Sequence, residues 1–152
     1  MSLLAPAAID HEQIKSALRY LETKHEILRS VYQAEGTYRI EKNSFVDSAL
    51  LGIANIEGSH DIFANDAAKT LIGTYLSGAF DLSKGPVYRY ALFHITNAEG
   101  LTRTLIYLGL HHAAGDFKGF NSLLGELMDF LVSDTRTAVA ENDNYAALVS
   151  QP

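Results

Sequence analysis

Two adjacent histidines, His111 and His112, close the apolar run of residues 104–110, and Asp116 follows the second by four positions. Chain-reversing Gly115 and Gly119 flank that aspartate, after which Phe120, Leu123, Leu124, Leu127, Phe130 and Leu131 recur at helical spacing. A buried strand that ends on an imidazole fixes the ring, and an unperturbed pKa of about 6.5 lets histidine take and return a proton near neutrality. This is the chemistry of a general base. Asp116 can orient that ring or tie down the loop that carries it. Consecutive strand residues point to opposite faces, so at most one of the two imidazoles faces a given site. His111, His112 and Asp116 are zinc ligands in type, but the alternation separates the rings, and the chain has no cysteine and no HExxH helix. No metal site is expected. His11, His25, His60 and His94 have no comparable setting and read as satisfied core or surface residues.

The elements that must position this motif follow from periodicity. Asp10 with Gln13 three residues on makes a capping box, and Ile14, Ala17, Leu18 and Leu21 form the stripe of a first helix ending near residues 24–25. Residues 27–32 lead into a strand that returns, after a turn at Ala34-Glu35-Gly36, through Tyr38, Arg39 and Ile40. A short strand is expected at residues 51–56, and a second helix from Asn65 or Asp66 to Ser77, with Ala68, Leu71, Ile72 and Tyr75 facing inward. Residues 87–95 and 101–110 form a hairpin around the turn Asn97-Ala98-Glu99-Gly100, its second strand apolar enough for burial on both faces. A third helix spans about 119–133. The polar, alanine-rich stretch 134–152 is assigned no element. The expected fold is one α+β domain over residues 1–152, a mixed sheet with helices packed mainly on one face.

Composition narrows the classes. With 12 basic against 18 acidic side chains, the net charge of −6 argues against nucleic acid and against an anionic membrane surface. A hydrophobic fraction of 47% in 152 residues suffices for one proper core. Zero cysteines exclude a disulfide scaffold. No signal peptide and no apolar run of membrane-spanning length is seen, so a cytoplasmic protein is the expectation.

The motif has company. His111-His112-Ala113-Ala114-Gly115-Asp116 resembles the HHxxxDG signature of the chloramphenicol-acetyltransferase-like superfamily. Lys24-His25-Glu26-Ile27-Leu28-Arg29-Ser30 resembles its RHExLRT motif, with Lys for Arg and Ser for Thr. Residues 79–89, from Ala79-Phe80-Asp81-Leu82 through Gly85-Pro86 to Arg89, are similar to PFDLxxGPLxR, and Asp143-Asn144-Tyr145-Ala146-Ala147 more faintly resembles YxDYAVW. The first three fall in the family's order and cover roughly residues 8–133. Nonribosomal peptide synthetase condensation domains are the relatives that the second and third segments favour.

The resemblance implies a chloramphenicol-acetyltransferase-like half-domain, equivalent to the N-terminal of two subdomains. It implies amide-bond formation between acyl and aminoacyl thioesters, with His112 as general base or hydrogen-bonding positioner in a tunnel between the subdomains. It makes Asp116 a structural partner of Arg29, places His111 behind the site, and reads Phe80 and Pro86 as packing and turn residues. No directly bound cofactor is implied; phosphopantetheine comes on a partner carrier protein. Gly115 and Phe117 would lie at the substrate tunnel, and Phe117 stands where the motif has glycine. The family's opening motif is absent, and Met1-Ser2-Leu3 precedes the first helix where the family has another strand, which suggests an excised piece or a free-standing half. The missing C-terminal subdomain, or a second copy in a homo-oligomer, is the expected complement. Two other functions fit the same residues: an oligomeric acyl-CoA or acyl-carrier O- or N-acyltransferase, and a non-catalytic half-domain that binds a carrier protein or partner half.

Overall fold

The computed structural model describes residues 2–33, 36–111 and 117–134, with residues 76, 117–121, 132 and 134 described by backbone alone. In chain order the elements are β1 (Ser2–Leu4), α1 (His11–Lys24), a 3-10 turn (Glu26–Arg29), β2 (Ser30–Tyr32), β3 (Tyr38–Ile40) and β4 (Leu50–Glu57). A second 3-10 turn (Ile62–Ala64) precedes α2 (Asp66–Leu76), β5 (Tyr88–Thr96), β6 (Thr102–Leu110) and α3 (Phe117–Asp134). The main sheet has the order β1-β6-β5-β4, while β2 and β3 pair separately. β4 and β5 run parallel and the other pairs antiparallel, so the sheet is mixed as the patterning predicts.

Each local signal has a visible cause. Asp10 accepts from the Gln13 N–H at 2.9 Å while Gln13 Oε1 accepts from the Asp10 N–H at 3.1 Å, closing the capping box. The stripe Ile14, Ala17, Leu18 and Leu21 is buried. Asn65 caps α2 by accepting from the Ala68 N–H at 3.1 Å. At the β5–β6 turn, Asn97 Oδ1 accepts from the Glu99 and Leu101 N–H groups, and Gly100 takes φ +82°, a left-handed value that costs glycine nothing. The core of β6 is buried without interruption from Thr104 to Leu108, as a two-sided strand requires.

The sheet separates two cores. Leu3, Tyr88, Tyr90, Leu92, Ile106 and Leu108 face α1 and α3. Ala91, Phe93, Ile95, Leu105 and Tyr107 face Ala68, Leu71, Ile72 and Tyr75 of α2. Two of the three α-helices among the described residues therefore share a face. α2 takes the other because it is the crossover between the parallel strands β4 and β5, a connection no tight turn can make. The expectation of no strand before α1 is corrected: Ser2–Leu4 pairs with β6, Leu3 opposite Ile106, and extends the sheet edge. The stretch expected to lead straight into β2 first makes a 3-10 turn, which the Ser30 hydroxyl closes by donating to the Ile27 carbonyl at 2.6 Å.

Candidate active site

The β5–β6 ladder ends at Tyr88 opposite Leu110, and one more backbone bond, from the His111 N–H to the Val87 carbonyl at 2.8 Å, carries the pairing to His111. Strand alternation gives His111 the face of Arg89, Tyr107 and Gly109. There its ring meets Phe80 edge-on, centroids 5.4 Å apart at 81°. Arg89 lies over the same phenyl ring, Cζ 4.4 Å from its centroid, and donates to the Gly78 carbonyl. His111 therefore packs against Phe80 on this face of the sheet. His112, Gly115 and Asp116 lie outside the described residues. Phe117 is the first residue of α3. The helix begins two residues before the expected start, so Gly119 sits inside α3 and does not belong to the loop.

Arg29 is half-buried and fastens two segments. Its Nε donates to the Glu22 carbonyl at 3.1 Å and its Nη1 to the Glu41 carbonyl at 2.6 Å, tying the last turns of α1 to the exit of β3. The expected Asp116–Arg29 pair falls on a residue outside the described set.

Sequence reasoning overlooked Glu22, which is 2% exposed. Its carboxyl group accepts from the Ser44 hydroxyl, from the Phe45 N–H at 2.8 Å and from the Tyr88 hydroxyl at 2.9 Å. These bonds offset the cost of removing it from water. A signal was available: Glu22 is four residues after Leu18 and so continues the apolar stripe. Burial and the neighbouring Glu22 push the Tyr88 phenol far above its ordinary pKa, so it stays a donor. Tyr90 is shifted the same way, by burial first and the nearby Asp47 second, and donates to the Val46 carbonyl at 2.9 Å. With that proton committed, His11 Nε2, 2.9 Å from the Tyr90 oxygen, must be the donor of its own bond.

The remaining histidines are partnered, as their settings predict. His60 Nε2 donates to the Ile95 and Leu101 carbonyls, and His94 Nδ1 lies 2.9 Å from Thr104 Oγ1. His25 pairs with Glu126, which also meets Lys24 Nζ at 2.7 Å; the Lys24 ammonium holds the Glu126 carboxyl below the usual range. These groups border an open cavity of about 480 Å³ between α1 and α3, lined by Tyr20, Lys24, Glu126, Asp129, Phe130 and Ser133. Of the described motif residues, Lys24 lines it, whereas Arg29, Phe80, Arg89 and His111 do not. Among the described residues no group of three or more His, Asp or Glu could hold a metal ion, and no helix is long and apolar enough to cross a membrane.

No protein-family model matches the chain, and no curated protein matches it by sequence. Solved structures do. The X-domain from teicoplanin biosynthesis superposes with a TM-score of 0.69 at 17% identity, over 90% of this chain and 28% of that one. The SgcC5 protein from Streptomyces globisporus gives 0.66 at 21% identity, over 88% and 29%. The starter condensation domain of rhizomide synthetase gives 0.63 at 16%, over 89% and 31%. The fold is that of condensation domains. At these identities the likeness concerns architecture alone, and the chain spans less than a third of the length of these structures. Within this condensation-domain-like fold, three separately recognised motif segments converge on one end of the sheet. Arg29 of the RHExLRT-like segment reaches the Glu22 carbonyl, Tyr88 and Arg89 of the PFDLxxGPLxR-like segment flank the strand end, and His111 of the HHxxxDG-like segment closes it.

Proposed function

We propose that the chain is the N-terminal, histidine-bearing half of a condensation-type acyltransferase that forms amide bonds between carrier-bound acyl and aminoacyl groups. What supports the reading is one conjunction: a condensation-domain-like fold whose β6 runs directly into the HHxxxD segment. In the proposed step the amine nitrogen attacks the thioester carbonyl, the C–N bond forms, and the C–S bond breaks. His112 accepts the surplus amine proton and returns it to the departing pantetheine thiolate. A thioester is already activated, so the demand on the protein is mainly placement and one proton transfer. Asp116 is proposed to pair with Arg29 and hold the segment, and His111 to support the fold. A variant of the rhizomide starter condensation domain, one structural neighbour, has been solved in complex with C8-CoA.

The test is transfer from an acyl pantetheine thioester to an amine, by the chain alone and with a C-terminal condensation subdomain added. Transfer is expected to require His112, and His112→Ala should abolish it with almost no change in melting temperature. Equal rates for wild type and His112→Ala would overturn the assignment. Because the neighbours are about three times longer, the proposed active form is an assembly, with a C-terminal half or with a second copy as a two-fold dimer. Light scattering that gave a monomer at all micromolar concentrations would exclude the dimer. A second reading, a non-catalytic half that binds a carrier protein, is favoured by Phe117 in place of the motif's glycine. Phe117→Gly separates the two, since relief of crowding should raise turnover, whereas a binding module would gain nothing.

A further inference from the structure

The segment between α2 and β5 has no part in the proton chemistry proposed above, yet it reaches the end of β6. Arg89 stands opposite Gly109 across the ladder. The bare glycine lets the arginine stem cross the neighbouring strand: a Cβ at Gly109 would come within 3.5 Å of Arg89 Cγ and 2.7 Å of Tyr107 Oη. From there the guanidinium donates to the Gly78 carbonyl and covers the Phe80 ring, and Phe80 meets the His111 imidazole. The column Arg89–Phe80–His111 thus joins β5, the segment after α2 and the end of β6. A cation over an aromatic face and an edge-on aromatic pair are both directional contacts, so they fix orientation as well as distance. His111 is held twice, by its N–H on Val87 and by its ring on Phe80.

We propose that Phe80 and Arg89 are positioning residues: their column with His111 sets the direction in which the chain leaves β6 toward His112. This rests on the functional reading above. The physical link is covalent. His111 and His112 are consecutive in the chain, and consecutive Cα atoms are held about 3.8 Å apart by a trans peptide bond, so a tilt of one residue passes directly to the next. Misplacing a catalytic group by about 1 Å costs on the order of a hundredfold in rate.

Two measurements on the full chain test this. In the first, the imidazole signals of the six histidines are followed by NMR in Phe80→Leu and in Arg89→Met, the second variant keeping an unbranched stem over Gly109. Both His111 and His112 signals should move while those of His11, His25, His60 and His94 stay. Movement at His111 without movement at His112 would overturn the proposal. In the second, transfer from the pantetheine thioester should show kcat reduced about a hundredfold in both variants with KM unchanged. Phe80→Tyr, which keeps the ring, should restore the rate. Wild-type kcat in Phe80→Leu and Arg89→Met, when His112→Ala is dead, would overturn the column while leaving the function standing. If wild type and His112→Ala both lack transfer, the functional reading falls, and the imidazole signals alone decide the column.

Discussion

The two ends of the β5–β6 hairpin are built on different plans. At the turn end the polar groups of the turn find partners close at hand. Asn97 accepts from two backbone N–H groups of its own turn, and the Thr96 and Thr102 hydroxyls face each other at 2.7 Å, while His60, from the segment before α2, adds a brace by donating to the Ile95 and Leu101 carbonyls. At the open end each strand residue is held from a distant part of the chain. Tyr88 reaches Glu22 of α1, 66 residues away, on one face of the sheet, and Arg89 and His111 grip the segment after α2 on the other. The turn itself is closed by its own residues. The open end exists only once α1, α2 and the sheet have assembled, and it is there that the chain enters the HHxxxD segment. Placing the candidate chemistry at that end makes its geometry a property of the whole fold.

The largest expected effect is therefore at the open end. Glu22→Ala would leave the Phe45 N–H and the Tyr88 hydroxyl buried without their acceptor, each at a cost of about 1–3 kcal/mol. The variant should lose about 3 kcal/mol in urea denaturation. An unchanged midpoint would mean that the carboxyl group does not bear on this end, and the contrast between the ends would collapse.

Asn97→Ala should cost less, about 0.5–1 kcal/mol, because the turn is exposed and water can replace the lost acceptor. The same variant should leave the imidazole signal of His111 where it is. A shift there would show that the two ends are coupled through the ladder and would sharpen the comparison into a continuous one.

This division also explains what could be read from the amino-acid sequence. Signals confined to a few residues were legible: the Asp10–Gln13 capping box, the Asn97–Gly100 turn, the apolar β6 and the stripe of α3. The three motif segments were legible as well, and with them the fold. Features that depend on pairing across the chain were not. β1 is three residues long and becomes a strand only by pairing with β6, about a hundred residues away. Phe80 reads as packing until Arg89 and His111 are seen on either side of it. Glu22 sits in an apolar stripe, but its acceptor role appears only once Ser44, Phe45 and Tyr88 arrive from two other segments. For the candidate site, His111 and Arg29 were legible as residues to watch, while the groups that hold them, Phe80 for the one and the Glu22 and Glu41 carbonyls for the other, were missed because none lies next to them in sequence.

The smallest expected effect belongs to the turn end and depends on pH. His94 is partly buried in β5 with Nδ1 against Thr104 Oγ1, a hydroxyl that also accepts from the Ile9 N–H at 2.8 Å. Burial lowers its pKa below the ordinary value, because desolvation penalises the imidazolium, and the distant Asp10 carboxyl only partly opposes this. In the unfolded chain His94 titrates near its ordinary value of about 6.5. Below that pH the unfolded state takes up a proton that the folded state resists, so stability rises with pH across this range. The contribution is fully present above about pH 6.5 and is lost as pH falls through the depressed folded value. Urea midpoints for wild type and His94→Gln, compared between pH 8 and pH 5, isolate the effect from the other five histidines. The wild-type midpoint should fall more than that of the variant. Parallel pH profiles would mean that the fold admits water to His94 on protonation, and the claim that its burial beside Thr104 opposes the charge would fail.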